Sequence, residues 1–191
     1  SRAYSFDGTD DYIEVPSGLA CGTGDITISA WFNTENTTFS AIVSTFLGNN
    51  AANTTNGVGL WQRNNGVYGG IADPAGRTVL TERGTTSINN WYQLCIAFDR
   101  DGNASTYLDG VLLGTDSISS RSGSIVCNPL FVGKSHVTNG LPEELFDGLI
   151  DDIRAYDRVL AQAEITHLAT SRGVLGGLGG THIHRTLLGV G

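Results

Sequence analysis

The sequence predicts an all-β protein of the antiparallel sandwich or barrel class. Short apolar or alternating segments recur along its 191 residues, with turn-forming residues between them. The 26 glycines and the many Thr, Ser and Asn residues are typical of turn-rich β proteins. Such spacing fits antiparallel sheets much better than alternating strands and helices. The length suits one domain and a tail, which we place at residues 1–172 and 173–191.

The strand-like segments are separated by recognisable turns. In chain order the segments are AYSF, DYIEVP, DITISAWFN, SAIVSTFLG, GVGLWQR, GVYGGIAD, RTVLTER, WYQLCIAFDR, ASTYLDGVLLGTD, LFVGKS and FDGLIDDIRAY. DRDGN at 99–103 and LDG at 108–110 supply the Asp, Asn and Gly residues that tight hairpins need at positive φ. We therefore predict that ASTYL is a strand framed by two hairpin turns.

One short surface helix and a glycine-rich arm are predicted at the end of the chain. Five apolar residues recur at helical spacing in LAQAEITHLATSRG, with Gly173 as a C-cap: Leu160, Ala161, Ile165, Leu168 and Ala169. The segment after it has too many glycines for a stable element and too many leucines for a solvated linker. We expect this arm, residues 174–191, to pack on something, and a neighbouring subunit could bury it by strand addition.

The charge balance excludes two classes of partner. The formal net charge of −8 should repel nucleic acid and anionic membrane surfaces, and it suits calcium or neutral polymers better. No apolar run approaches the roughly 20 residues that span a bilayer, and no charged-then-apolar leader opens the sequence. We expect a soluble protein, either whole or part of a longer chain.

The three cysteines have no metal-type spacing. Cys95 lies inside an apolar segment, where we expect a plain buried thiol. Cys21 and Cys127 lie beside turns and could form a disulfide in an oxidising compartment.

The segment FDGLIDDIRAY, residues 146–156, contains an anomaly. Its alternation puts Leu149, Asp151 and Ile153 on one face of a strand, and that face looks buried. A buried carboxylate is costly unless a cation, a salt partner or backbone N–H groups compensate it.

Five motifs in order resemble the concanavalin A-like, laminin G-like jelly-roll superfamily, and most of all its bacterial and viral LamG-like branch. They are YSFDGTDDYIEVP, ITISAWF, NWYQLCIAFDRDGNASTYLDGVLLGT, PLFVGKS and FDGLIDDIRAYDRVLAQAEITHLA. The resemblance spans about residues 3–170 and implies an antiparallel jelly-roll β-sandwich whose first and last strands run near each other. It does not by itself imply a function.

The resemblance also implies a structural calcium ion. Many jelly-roll modules bind calcium through an aspartate of the last strand, together with oxygens near the start of the chain. Asp151 is at the matching position, and Asp7 and Asp11 would supply carboxylates from the other chain end. Alternatively, Asp151 accepts backbone N–H bonds or pairs with an arginine such as Arg154 or Arg2, and Asp11 caps a turn.

The best candidate ligand site is the hairpin GLWQRNNGVYGG. Sugar C–H faces stack on exposed aromatic rings while polar neighbours bond the hydroxyls. Trp61 and Tyr68 could supply the rings, and Arg63 and Asn65 the polar groups. The alternative is that Trp61 is an ordinary sheet residue. In the resemblance, Trp31 and Trp91 occupy structural positions of the core.

Catalysis is not predicted. The Glu-x-Asp-x-x-Glu run of laminarinase-type hydrolases is absent, and Glu143 and Glu144 are expected in a solvated acidic turn. We therefore expect a non-catalytic module at an extracellular, cell or virion surface that binds a glycan or a protein. The main alternative is a virion decoration or tail-associated protein that docks or self-associates through residues 174–191. A glycoside-active enzyme is a distant third.

Overall fold

A computed structural model describes residues 3–46, 56–135 and 144–172, together with the backbone of residues 181–183. This part of the chain contains fifteen β-strands and one α-helix. In chain order they are β1 (Tyr4–Asp7), β2 (Ile13–Val15), β3 (Leu19–Gly22), β4 (Ile26–Thr34), β5 (Ser40–Ser44), β6 (Gly57–Arg63), β7 (Gly66–Asp73), β8 (Gly76–Val79), β9 (Tyr92–Phe98), β10 (Asn103–Leu108), β11 (Val111–Ser117), β12 (Ile125–Cys127), β13 (Leu130–Val132), β14 (Asp147–Tyr156), α1 (Gln162–Thr170) and β15 (Thr181–Ile183).

The strands form a sandwich of two large antiparallel sheets. One sheet has the order β1-β14-β4-β9-β10-β11, with β15 added beside β14, and the other has the order β2-β13-β5-β6-β7-β8. The short strands β3 and β12 pair separately. The first strand pairs with the long closing strand, with Tyr4 opposite Ile150. The prediction of an antiparallel jelly-roll sandwich is confirmed.

The core lies between the two sheets because the strands alternate as expected. In β4 the inward residues are Ile26, Ile28, Ala30 and Phe32, and across the sandwich they meet the apolar faces of β5, β6 and β7. Burial of each large side chain contributes about 1.5–3 kcal/mol. The outer face of each sheet does not contribute to this core.

Both hairpins that the turn residues predict are present. In the first, the carbonyl of Asp99 accepts the N–H of Gly102 at 3.0 Å, and β9 and β10 continue from it. In the second, Asp109 and Gly110 have φ values of 50° and 78°, as a two-residue type I′ turn requires. The strand ASTYL lies between these turns, as predicted.

Helix α1 covers the outer face of the seven-stranded sheet. Its buried residues Ile165 and Leu168 pack against Cys95 and Tyr156 of the sheet. At its start, the carboxylate of Glu164 accepts the N–H of Ala161 at 2.9 Å. The helix ends at Thr170 with Ser171 as its C-cap, so the expectation that Gly173 caps it is wrong. The hydroxyl of Ser171 donates to the carbonyl of His167 and ends the helix earlier.

A bulge in β14 changes the face on which Asp151 lies. Asp151 is opposite Trp31 and Arg154 is opposite Ser29, so β14 has one residue more than β4 between these two pairs. Ile150 and Ile153, three residues apart, therefore both point into the core. Asp151 shares the outer face with Trp31. The prediction that Asp151 shares the face of Ile153 is wrong, because strict alternation does not hold across an inserted residue.

A disulfide joins the two short strands β3 and β12. Cys21 and Cys127 are bonded across a sequence separation of 106 residues, and Cys95 is a free, buried cysteine. This is the pairing that the sequence left open. Burial raises the pKa of the Cys95 thiol, which keeps it protonated and unreactive.

The arm is described only at residues 181–183. Their backbone pairs antiparallel with β14 of the same chain, with residue 182 opposite Arg154. The rest of residues 174–191 lies outside the described residues. Docking of this arm on neighbouring subunits, and with it the virion alternative, stays a prediction.

We predict that reduction of the disulfide destabilises the protein strongly. In the chain-entropy description, closing a loop of about 100 residues contributes roughly 4.7 kcal/mol, and the Cys21–Cys127 loop is of that size. The free energy of unfolding, measured in urea, should therefore fall by an amount approaching this value on addition of dithiothreitol. Cys95→Ala should keep the response to reductant, and the double variant Cys21→Ala/Cys127→Ala should lose it. An unchanged midpoint in the reduced wild type would contradict the prediction.

Candidate functional site

On the outer face of the six-stranded sheet, a large tryptophan packs against small residues. On β6, Val58 and Leu60 point into the core, so Gly59 and Trp61 point outward. The indole lies across Gly59, where any Cβ would collide with its ring. Ala41 is the cross-strand partner of Trp61 on β5 and is equally small. The small residues therefore let the indole lie flat on the sheet.

Four aromatic rings form a row across this face, which we call the aromatic row. Trp61 and Tyr68 are nearly parallel, with centroids 5.8 Å apart, and Phe39 continues the stack at 6.0 Å from Tyr68. Phe46 contacts the other side of Trp61 at 5.3 Å. Offset ring pairs of this kind contribute about 0.5–1.5 kcal/mol each beyond simple burial.

Two guanidinium groups lie over the aromatic row. The Arg77 guanidinium is 5.1 Å from the ring centroid of Phe46, and that of Arg63 is 5.3 Å from the centroid of Tyr68. Both distances are within the range of cation–π attraction. The arginines fix the positions of the rings and place positive charge beside them.

Glu144 is bonded to the aromatic row and does not lie in a solvated turn. Its carboxylate accepts the indole N–H of Trp61 at 2.7 Å, and its backbone carbonyl accepts the N–H of Ala41 at 3.0 Å. Burial raises the pKa of Glu144, although hydrogen bonds from Trp61 and Ser135 act in the opposite direction. The expectation of a solvated acidic turn is therefore wrong for Glu144, because its segment pairs with β5. Residue 143 lies outside the described residues.

The predicted ligand residues differ sharply in exposure. Trp61 is 1% exposed and Tyr68 is 4% exposed, whereas Phe39 is 37% exposed. Arg63 and Asn65 are also exposed. The structure thus brings the four predicted residues together, but the two predicted aromatic rings, Trp61 and Tyr68, are buried. Their role in binding stays a prediction, and the accessible ring of the row belongs to Phe39.

The tip of the β6–β7 hairpin is held in a fixed shape. Asn64 and Asn65 have φ values of 50° and 68°, which gives a type I′ turn. The N–H of Asn64 donates to the carbonyl of Thr37 at 3.0 Å, and the carbonyl of Asn65 accepts the N–H of Thr86. These bonds join the tip to the segment that carries Phe39 and leave the Asn65 side chain exposed.

An exposed ion pair lies beside the same tip. Arg63 donates through Nε and Nη2 to Oε2 of Glu82 at 3.0 and 2.8 Å. Glu82 crosses over Gly66, where a Cβ would collide with its side chain. We call Phe39, Arg63, Asn65 and Glu82 the hairpin-tip patch. Sequence reasoning missed Phe39 and Glu82, since only the fold places them beside the hairpin.

The predicted metal ligands are divided between two places. Asp7, Asp10 and Asp11 are exposed, and their carboxylates lie within 4.8 Å of one another. The N–H groups of Thr9 and Asp10 hold the pKa of Asp7 below its ordinary value, so its carboxylate is ionised. All three groups offer the oxygen ligands that calcium prefers, and they would supply part of its shell of six to eight.

Asp151 is not in this group of carboxylates. The closing-strand residue opposite Asp7 is Asp147, four residues before Asp151. Asp151 accepts the N–H of Asp152 at 2.9 Å, and its carboxylate is 3.9 Å from Nε of Arg172. This corrects the predicted calcium set and follows the alternative of backbone bonds and an arginine partner. Among the described residues, Arg172 is an arginine beside Asp151, whereas Arg154 binds Asp152 through two contacts of 2.7 Å. Arg2 lies outside the described residues.

The two tryptophans expected in the core lie near Asp151. Trp31 alternates with the inward residues of β4, so its indole is on the outer face and donates to the carbonyl of Leu168 at 3.2 Å. The Arg172 guanidinium lies 4.0 Å from the ring centroid of Trp91. Both tryptophans are half-buried, so the expectation of core positions is wrong. Their contacts anchor the end of α1 and the residues after it to the sheet.

The two packed antiparallel sheets define a protein of the jelly-roll class. The laminin G-type family model described as the concanavalin A-like lectin/glucanases superfamily matches residues 7–166, so the chain belongs to this family. No curated protein matches the chain.

Several solved structures share the fold at low sequence identity. The heptameric SAP-like pentraxin from Limulus polyphemus has a TM-score of 0.65 and 16% identity, over 86% of this chain and 80% of that one. The CBM40 of Ruminococcus gnavus IT-sialidase, solved with α2,3-sialyllactose, has a TM-score of 0.61 and 16% identity, over 84% and 97%. The receptor binding domain of botulinum neurotoxin D has a TM-score of 0.65 and 16% identity.

The neurotoxin domain is much longer than this protein. The likeness covers 86% of this chain but 42% of that chain. At these identities the three structures establish the fold alone.

In the described part of this chain, no helix is long and apolar enough to cross a membrane.

We predict that Glu144 makes stability fall with rising pH. A carboxyl group whose pKa is raised by folding binds its proton more tightly in the folded state, so stability is lost as the pH rises from the ordinary value of 4.5 through the folded pKa. Gln can still accept the Trp61 N–H but carries no charge. In urea unfolding at a series of pH values, Glu144→Gln should therefore remove part of this loss.

Glu164→Gln is the matched control with the opposite sign. Hydrogen bonds from Arg158 and from the N–H of Ala161 lower the pKa of Glu164 to about 2, so its contribution is lost as the pH falls from 4.5 towards that value. This variant should change the profile only in the acid range. Equal pH dependence of Glu144→Gln and wild type above pH 4.5 would contradict the account of Glu144.

Proposed function

We propose that the protein is a non-catalytic binding module that acts at an extracellular, cell or particle surface and binds its ligand at the hairpin-tip patch. The observation that carries this proposal is the exposed ring of Phe39 at the open end of an otherwise buried aromatic row. Exposed aromatic rings with convergent polar groups are the usual means of recognising glycans and protein loops. Arg63, Asn65 and Glu82 supply those polar groups.

The patch is rigid before any ligand arrives, which favours binding. Phe39 is stacked on Tyr68, the Arg63 guanidinium lies over the same ring, and the hairpin tip is bonded to its neighbours. Side chains that are already ordered lose less conformational entropy on binding than free ones, by about 0.5–1.5 kcal/mol for each long side chain. Buried Trp61 and Tyr68 take part as the support of the patch.

The arrangement of the nearby carboxylates supports a binding function and not hydrolysis. Glycosidases use two carboxyl groups that flank a substrate bond. Here Glu144 is bonded to the buried indole of Trp61, and Glu82 is bonded to Arg63. Both carboxylates therefore hold neighbouring side chains in place. The fold is also that of the R. gnavus CBM40, which was solved with a bound glycan.

A structural calcium ion at the first loop is a second proposal. Asp7, Asp10 and Asp11 would hold it, and the ion would neutralise three exposed negative charges that otherwise repel one another. Since Asp7 is the last residue of β1 and lies opposite Asp147, the ion would stabilise the junction between the first and last strands.

We predict that Phe39→Ala abolishes ligand binding and leaves the fold intact. The ring is exposed on one side, so its removal should cost little stability but should delete the stacking surface. A glycan array and a cell-surface binding assay would compare wild type with this variant. Val111→Ala, an exposed apolar residue of the other sheet, is the matched control. Equal binding by wild type and Phe39→Ala would remove the proposed site.

Phe39→Ala is a sharper test than a change at Trp61. Because Trp61 is buried against Phe46 and Tyr68, Trp61→Ala should cost about 3–5 kcal/mol and could unfold the domain. A loss of binding in that variant would not identify the residues that contact the ligand.

We predict that calcium raises the unfolding temperature and that EDTA lowers it. Asp11→Asn removes one carboxylate of the three and should abolish the difference, since the ion would lose a charged ligand. Differential scanning calorimetry with calcium and with EDTA would measure it. Asp151→Asn is the control and should keep the calcium response. A response lost in Asp151→Asn but kept in Asp11→Asn would place the ion elsewhere.

A further inference from the structure

We infer that the hairpin-tip patch binds a neutral glycan, with two adjacent hydroxyl groups of one sugar bonded to the Arg63–Glu82 pair and a sugar C–H face stacked on Phe39. The inference rests on the proposed function and specifies its ligand. Three features support it. The ion pair has open hydrogen-bonding atoms, its two charges neutralise each other, and the Phe39 ring lies beside it.

The ion pair presents both an open donor and an open acceptor. Arg63 uses Nε and Nη2 to bind one oxygen of Glu82, Oε2. Within the described residues, Nη1 of Arg63 and Oε1 of Glu82 have no hydrogen-bond partner. Every sugar hydroxyl both donates and accepts, so two adjacent hydroxyls can accept from Nη1 and donate to Oε1 at once. The ion pair can therefore use the lone pair of one hydroxyl and the hydrogen of its neighbour.

The charge of Arg63 is already neutralised within the patch. The side chains of Arg63 and Glu82 are 47% and 30% exposed, and their closest contact is 2.8 Å. An acidic sugar bonded to the open Nη1 would bring a second carboxylate close to that of Glu82, and like charges repel each other. The chain also carries a net charge of −8, which repels anions at long range. Neutral sugars avoid both costs.

The Phe39 ring lies where a sugar on the ion pair would extend. Phe39 directly precedes Ser40, and Ser40 is opposite Gln62, so Phe39 and Arg63 are neighbours at the end of the sheet. Both also contact the ring of Tyr68. The side chain of Asn65 is exposed at the same tip and can bind a further hydroxyl. The patch therefore combines one stacking surface with several fixed polar atoms.

Glu82→Gln separates charge from hydrogen bonding and gives the sharpest test. Gln keeps an acceptor at the same place but frees the charge of Arg63. Binding of neutral trisaccharides should change by less than about fivefold, the value of one neutral hydrogen bond, whereas binding of oligosaccharides with uronic or sialic acid should become tighter. Arg63→Ala should weaken neutral glycan binding about tenfold or more. Isothermal titration calorimetry at low and high salt would measure both.

The outcomes distinguish this inference from the proposed function. Both are supported if neutral glycans bind to the wild type without salt dependence and do not bind to Phe39→Ala. A wild-type preference for acidic glycans that weakens in high salt would overturn the neutral-glycan inference and leave the proposed function standing. The neutral-glycan inference is likewise overturned, with the proposed function standing, if no glycan binds and a protein ligand binds the wild type but not Phe39→Ala. Ligand binding that Phe39→Ala and Arg63→Ala both leave unchanged would overturn both. Unchanged circular dichroism spectra confirm that the variants are folded.

Discussion

The hydrogen bond from the Trp61 indole to Glu144 organises the outer face on which the proposed function depends. It joins β6 to a segment 83 residues further along the chain, at a distance of 2.7 Å. The bond can form because Gly59 and Ala41 leave room for the indole to lie flat. A buried indole N–H needs a partner, and a buried carboxylate needs a donor. The bond therefore satisfies the buried indole N–H and offsets part of the desolvation of the half-buried carboxylate.

The position of Trp61 determines which ring of the aromatic row is open to solvent. With Phe46 and Tyr68 packed on either side of it, the interior of the row is closed, and Phe39 remains at the end. The same end of the sheet carries the type I′ turn and the Arg63–Glu82 pair. In the proposed function, the buried rings supply rigidity, and the exposed ring with its polar neighbours supplies the contact surface for the ligand.

The fold could be predicted because its signals are local, whereas parts of the site depend on distant contacts. Asp109 and Gly110 mark a hairpin in the sequence itself, and the alternation of Ile26, Ile28 and Phe32 marks a core-facing strand. The face of Asp151 could not be read in this way, because the bulge after it inserts a residue that no periodicity reveals. The burial of Trp61 depends on Glu144, and the polar surroundings of Phe39 depend on Glu82. Both glutamates come from segments that pack there only in the folded chain.

The most direct test is a crystal structure of the protein with a neutral oligosaccharide selected by binding. We expect a sugar ring stacked on Phe39, at a separation of about 3.5–4 Å, with adjacent hydroxyls bonded to Arg63 and Glu82. Trp61 should stay buried against Glu144 in that complex. A sugar stacked on an exposed Trp61, or bound at another surface with the hairpin-tip patch empty, would contradict the account.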